Sequence, residues 1–123
     1  MLRLLLDEPI SPEVAAGLRR SLPSLAVYAM RDWEYGAHLG QRDDAMLGDA
    51  AAQGLTLVTY DRRTIPPLLK AWAEQGKSHG GVIFVDERTI KPSNVGAQIR
   101  GLAAVARETS IRDWKDRVIF LLR

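Results

Sequence analysis

A chain of 123 residues is long enough for one domain with a real core and too short for two. Its 46% hydrophobic and 26% charged residues are those of an ordinary soluble globular protein, and the absence of cysteine excludes disulfides, thiolate metal sites and cysteine nucleophiles. The net charge of +2 hides an asymmetry: residues 1–61 carry 5 Lys/Arg against 9 Asp/Glu, and residues 62–123 carry 12 against 6, so an acidic half suited to cations adjoins a basic half suited to phosphate.

The opening "MLRLLL" is soon interrupted by Asp7-Glu8-Pro9. That is too short for a signal peptide or a membrane span, so a cytoplasmic protein without a membrane partner is expected. The first strand is expected over about residues 2–6. Ser11-Pro12-Glu13 then supplies an N-cap, a proline at the first helical position and an acid in the first turn. Val14, Leu18 and Leu22 recur at helical spacing, and the helix should end near Leu22-Pro23. "LAVYA", residues 25–29, reads as a second strand, followed by the polar loop "RDWEYGAHLGQR".

Asp43 reads as the N-cap of a second helix, with Met46, Leu47, Ala50 and Ala51 on its apolar face and Gly54 past its end. Residues 55–60 form the third strand. Pro66-Pro67 open a third helix that runs through Trp72 to about Gly76. "GVIFV", 81–85, is the fourth strand, residues 93–108 the fourth helix, and "RVIFLL", 117–122, the fifth strand. The runs "LLL", "LTLVT" and "VIFV" are apolar without alternation, as in a sheet covered on both faces. Alternating strands and helices with short connections predict one domain over residues 1–123. Its fold class is α/β, a three-layer α/β/α sandwich with a mainly parallel five-stranded sheet and right-handed crossovers.

Binding sites in such a sheet form beyond the carboxyl ends of the strands, where the strand order reverses. Asp7 follows the first strand, Asp61 follows the third, and Asp43 opens a helix that would point to the same edge. Three carboxylates gathered in one cleft repel one another and call for a cation. Oxygen ligands favour Mg²⁺ or Mn²⁺. Such an ion can polarise a phosphodiester and supply a hydroxide nucleophile, with Arg62 and Arg63 holding the phosphate. Each acid also has a plainer role open to it: Asp43 as a cap, Asp7-Glu8-Pro9 as a turn, and Asp61 as a loop acid.

The segments "LLLDEPISPEVAAGLR", "GQRDDAMLGDAAAQGLTLVTYDRRT" and "GGVIFV", with the ending "W-x-x-R-V-I-F-L", together resemble the short PIN-like domain family. That family is related to the PIN-domain ribonuclease toxins of bacterial toxin–antitoxin pairs. The resemblance covers nearly the whole chain and implies a PIN-like fold with an Mg²⁺- or Mn²⁺-dependent endoribonuclease site. It assigns Asp7, Asp43 and Asp61 as the catalytic and metal-holding acids. Thr59 would orient a carboxylate or a water, and Glu8 or Asp44 would help through water. RNA, a small antitoxin protein and a second copy of the chain are the implied partners. The chain departs from full-length PIN nucleases in two places. A helical insertion bearing a further acid is absent, leaving Asp32, Glu34 or Asp44 to substitute, and "RRTIP" replaces the usual acid–Phe pair.

Two alternatives come from other classes. A catalytically inactive PIN-like module could bind RNA or protein, with Arg100, Arg107, Arg112, Lys115 and Arg117 contacting phosphates. A phospho-accepting receiver domain would also place an acidic pair after strand 1 and an aspartate after strand 3. A receiver, however, needs a hydroxyl where Asp86 stands after strand 4, and a lysine and a final helix after strand 5, where the sequence has Arg123. Trp72 is expected in the core, Trp33 as a cover for the sheet edge rather than a base-stacking platform, and Trp114 as an anchor for the last strand. His38 and His79, in glycine-flanked loops, are expected to be solvent-exposed, and "DERTIK" to be a charged turn.

Overall fold

The structure, a computed structural model, describes residues 2–36, 40, 42–108 and 113–121. His38, Arg112 and Leu122 therefore lie outside the described residues. The elements run β1 (Arg3–Leu6), α1 (Pro12–Ser21), β2 (Ala26–Ala29), α2 (Asp43–Ala52), β3 (Thr56–Thr59), α3 (Ile65–Glu74), β4 (Val82–Val85), α4 (Val95–Arg107) and β5 (Val118–Leu121). A short 3₁₀ turn, Trp33–Gly36, interrupts the segment expected to be loop throughout.

All five strands are parallel, in the order β2-β1-β3-β4-β5. Leu4, Leu5 and Leu6 are fully buried because the sheet is covered on both faces. Leu4, Leu6, Val58, Ile83 and Val85 pack with Val14, Ala15 and Leu18 of α1 and with Leu102 and Ala103 of α4. Leu5, Leu57, Val82 and Phe84 pack on the other face with Met46 and Leu47 of α2 and Ile65 and Trp72 of α3. Two helices thus lie on each face. Among the described residues no helix is long and apolar enough to cross a membrane.

The local chemistry accounts for most element ends. Ser11 caps α1 by accepting from the Glu13 N–H at 3.2 Å, and Pro12 needs no partner there. Asn94 caps α4 by accepting from the Ala97 N–H at 3.1 Å. At α2 the expectation is corrected. Arg42 occupies the cap position in extended conformation with no side-chain hydrogen bond, and Asp43 is the first helical residue. The Asp43 carboxylate is therefore not spent on capping.

The connections are not all of one hand. The β1-to-β2 and β4-to-β5 steps go in opposite directions across the sheet, yet α1 and α4 pack side by side on the same face. The β4–α4–β5 connection thus has the opposite hand to the other three, which corrects the expectation of uniformly right-handed crossovers. Gly17 permits the close α1–α4 contact, since a Cβ there would collide with the Ile99 side chain. With α4 on the α1 face, no helix among the described residues belongs to β5 on the α3 face.

Trp72 is buried beneath α3, and Trp114 is buried just before β5. Trp33 is buried at 3% exposure, and its indole N–H donates to Gln53 Oε1 at 3.3 Å, so it covers the core and offers no free ring face. His79 differs from expectation: it is 7% exposed, not solvent-facing. Its Nδ1 accepts from the Gly81 N–H at 3.0 Å, its backbone N–H donates to Asp116 Oδ1 at 3.0 Å, and its carbonyl accepts from the Asp116 N–H at 2.9 Å. Burial holds the imidazole pKa below its ordinary value, against the opposing pull of the Asp116 charge.

Candidate active site

The strand order reverses between β1 and β3: β1 connects outward to β2, and the chain then crosses back to β3 on the other side of β1. Asp7 is the first residue past β1, and Asp61 is the second past β3. Both stand at the carboxyl edge of neighbouring strands, at the point where α/β sheets open a crevice.

Three hydrogen bonds join these positions. The Asp7 N–H donates to the Val58 carbonyl at 3.0 Å, which extends the β1–β3 ladder by one residue. The Thr59 hydroxyl donates to Asp7 Oδ2 at 2.7 Å and accepts from the Asp61 N–H at 2.9 Å. Thr59 is fully buried, so its hydroxyl rigidly links the two acidic corners. The other Asp7 oxygen accepts from the Glu8 N–H at 2.8 Å.

Electrostatics ties Asp43 to the same place. The Asp43 pKa is raised above 3.8, first by burial and then by the charges of Asp7, Asp61, Asp44 and Glu8. Burial likewise raises Asp7, with smaller upward contributions from Asp61 and Glu8, against the lowering effect of the Thr59 and Glu8 hydrogen bonds. The charges of Asp7 and Asp61 thus reach Asp43, and that of Asp61 reaches Asp7. Asp7 is held by two donors, whereas the Asp43 carboxylate has no hydrogen-bond or ion-pair partner among the described residues. Asp61 Oδ1 accepts from the Arg63 and Thr64 N–H groups at 2.9 and 2.8 Å and so turns the chain into α3.

The remaining candidates sit farther out. Glu8 reaches the long loop, accepting from the Gly40 N–H at 2.9 Å. Asp44 is drawn to Arg42 at 3.2 Å, Glu34 accepts from the Gln53 amide at 2.9 Å, and Asp32 is exposed. Arg62 does not point freely toward the acids. It pairs with Asp86 at 2.8 Å, and Arg88 binds the same carboxylate at 2.7 Å. These contacts, those of Arg88 foremost, hold the Asp86 carboxyl well below the usual range, a role for Asp86 not legible in the sequence. Within "DERTIK", Thr89 and Ile90 N–H groups both donate to the Asp86 carbonyl, closing the expected turn. Arg63 forms no ion pair among the described residues, and it shares with Asp61, Arg62, Asp86 and Arg88 a cavity of about 260 Å³ beside the acids.

The donors at this edge are all oxygen, and burial and neighbouring negative charge both act on Asp7 and Asp43, an environment that favours a hard cation over a soft one. Among the described residues no group of three or more histidine, aspartate or glutamate side chains is placed so as to hold a metal ion. No protein-family model matches this chain, and no curated protein or solved structure is significantly similar to it.

Proposed function

We propose that the chain is a PIN-like, metal-dependent ribonuclease that hydrolyses RNA phosphodiesters, acting as the toxin of a toxin–antitoxin pair with a small antitoxin protein as partner. The observation that carries this reading is the Asp7–Thr59–Asp61 linkage at the switch point of the sheet, with Asp43 electrostatically coupled to it. Mg²⁺ or Mn²⁺ bound by Asp7, Asp43 and Asp61 would supply Lewis-acid polarisation of the phosphodiester. Thr59 fixes the Asp7 carboxylate in one orientation and so limits the reorganisation a ligand would demand. Asp43, lacking a partner of its own, has both oxygens available for a cation or its waters. Arg63 is the cation best placed for an RNA phosphate, because Asp86 already occupies Arg62.

The strand order also supports a second reading, since receiver domains share the order 2-1-3-4-5. Asp86 argues against it, standing after β4 where a receiver carries a hydroxyl, and paired with Arg62 and Arg88. Digestion of single-stranded RNA with and without Mn²⁺, using wild type and Asp7→Asn, tests the proposal. Cleavage that needs Mn²⁺ and vanishes in the variant supports it. A Mn²⁺-dependent thermal shift without cleavage would leave a metal-binding module, and neither effect would leave an inactive RNA- or protein-binding module.

A further inference from the structure

The large apolar side chains exposed among the described residues are Val118, 42% exposed, and Phe120, 54% exposed. They alternate with the inward-facing Ile119 and Leu121, so both stand on the α3 face of β5. Their register partners on β4, Val82 and Phe84, are buried under α3. The reversed hand of the last crossover accounts for this contrast, because α4 covers the opposite face. Between α3 and β5 runs a groove of about 500 Å³ lined by Leu69, Lys70, Ala73, Lys77 and Val118, with Asp116 at one end. Among the described residues β5 is also the edge strand of the sheet, bonded to β4 on one side and to no strand on the other.

We propose that this edge and groove take up an extended, acidic and apolar segment of a partner protein, added to the sheet as a further strand beside β5. Main-chain hydrogen bonds along a free strand edge give such a segment its affinity, and alternate side chains give it specificity. Val118 and Phe120 offer the apolar contacts. The charge of the groove selects the partner: Lys70 and Lys77 line it, and neither makes an ion pair among the described residues, although the Lys77 ammonium lies over the Trp72 ring at 5.6 Å from its centroid. The opposing Asp116 is already engaged, accepting from the His79 N–H at 3.0 Å.

Two other occupants fit less well. A second copy would bring the same lysines together across a two-fold axis. A four-residue strand with two exposed apolar side chains also falls short of the roughly 800 Å² per partner that stable dimers bury. A nucleic-acid base would need an open ring face, but Phe120 stacks on Phe84 with centroids 5.4 Å apart, and the Arg62 guanidinium lies 5.9 Å from its centroid on the ring face.

Fluorescence anisotropy with a labelled synthetic peptide of alternating valine and threonine flanked by glutamates tests the proposal. The wild-type chain should bind it saturably, with a Kd on the order of 10–1,000 μM. Phe120→Asp should weaken binding by at least about tenfold. Because that variant also removes the Phe84 stacking contact, a second variant carries the charge test. Lys70→Glu with Lys77→Glu, the first exposed on α3 and the second exposed just past its end, should lose the acidic peptide and gain a version flanked by lysines. Backbone amides of Val118–Leu121 should exchange more slowly in the complex. The proposal is overturned if the wild-type chain does not bind, or if it binds a version with a central proline equally well. It is overturned equally by a concentration-dependent dimer that Phe120→Asp abolishes, or by binding of a single-stranded oligouridine probe at this edge in place of the peptide.

Discussion

Replacing Thr59 by valine tests the linkage on which the site rests. The two side chains have nearly the same shape, so the change removes the hydroxyl with little repacking. Two hydrogen bonds are lost: the donation to the Asp7 carboxylate at 2.7 Å and the acceptance from the Asp61 N–H at 2.9 Å. A bond to a charged group contributes about 1.5–3 kcal/mol and one between neutral groups about 0.5–1.5 kcal/mol, while the added methyl offsets about 0.8 kcal/mol. The net loss at neutral pH is about 2 kcal/mol, a sizeable part of a total stability of about 5–15 kcal/mol. In urea the midpoint should fall by about 1 M. The loss also has a pH signature. Thr59 lowers the Asp7 pKa, so removing it raises that pKa further above 3.8. The penalty is therefore full where Asp7 is ionised in both proteins, and it shrinks as the pH falls and Asp7 takes up its proton. Each unit of added pKa shift makes the two limits differ by about 1.4 kcal/mol. Urea titrations near neutral pH and below pH 3.8 check this, with Thr59→Ser as the variant that keeps the hydroxyl. A valine variant within about 0.5 kcal/mol of wild type, or an equal loss at both pH values, refutes the reasoning.

Asp7→Asn removes a carboxylate whose pKa is raised, chiefly by burial. In the wild type the unfolded chain gives up this proton first, so stability falls as pH rises from 3.8 through the folded pKa; the variant should lack that fall in thermal scans across the range, whatever offset it takes from having one acceptor oxygen for the Glu8 and Thr59 donors. His79 works in the opposite direction. Its folded pKa lies below 6.5, so stability is lost as pH falls from 6.5 through that value, and His79→Asn, which keeps an acceptor near Nδ1 for the Gly81 N–H, should flatten this limb of the profile. Gly81 has φ 106°, and a Cβ there would meet the Trp114 carbonyl at 2.6 Å, so Gly81→Ala should cost about 2–4 kcal/mol in chemical denaturation, and a neutral result would mean that the β4 entrance relaxes freely.

The amino-acid sequence determined the elements and the acids that stand near the carboxyl edge of the sheet. Ser11-Pro12 announces α1, and the unbroken apolar runs of β1, β3 and β4 announce strands buried on both sides. The acids that follow β1 and β3, Asp7 and Asp61, can be named as candidates for the same sheet edge once a parallel sheet is inferred. Burial periodicity is one-dimensional, however. It says that Leu102 and Ala103 are buried, but not on which side of the sheet α4 buries them. The choice of the α1 face is compatible with the close approach at Gly17, and it leaves Val118 and Phe120 uncovered. Local signals also misplace groups whose partners come from elsewhere. His79 looks like a loop histidine until Asp116, 37 residues away, folds against it, and Arg62 looks free for phosphate until Asp86 takes it. The Thr59–Asp7 bond spans 52 residues and exists because β3 lies directly beside β1. Strand adjacency, helix side and ion-pair choice are set by competition among distant contacts, so tertiary structure alone decided them.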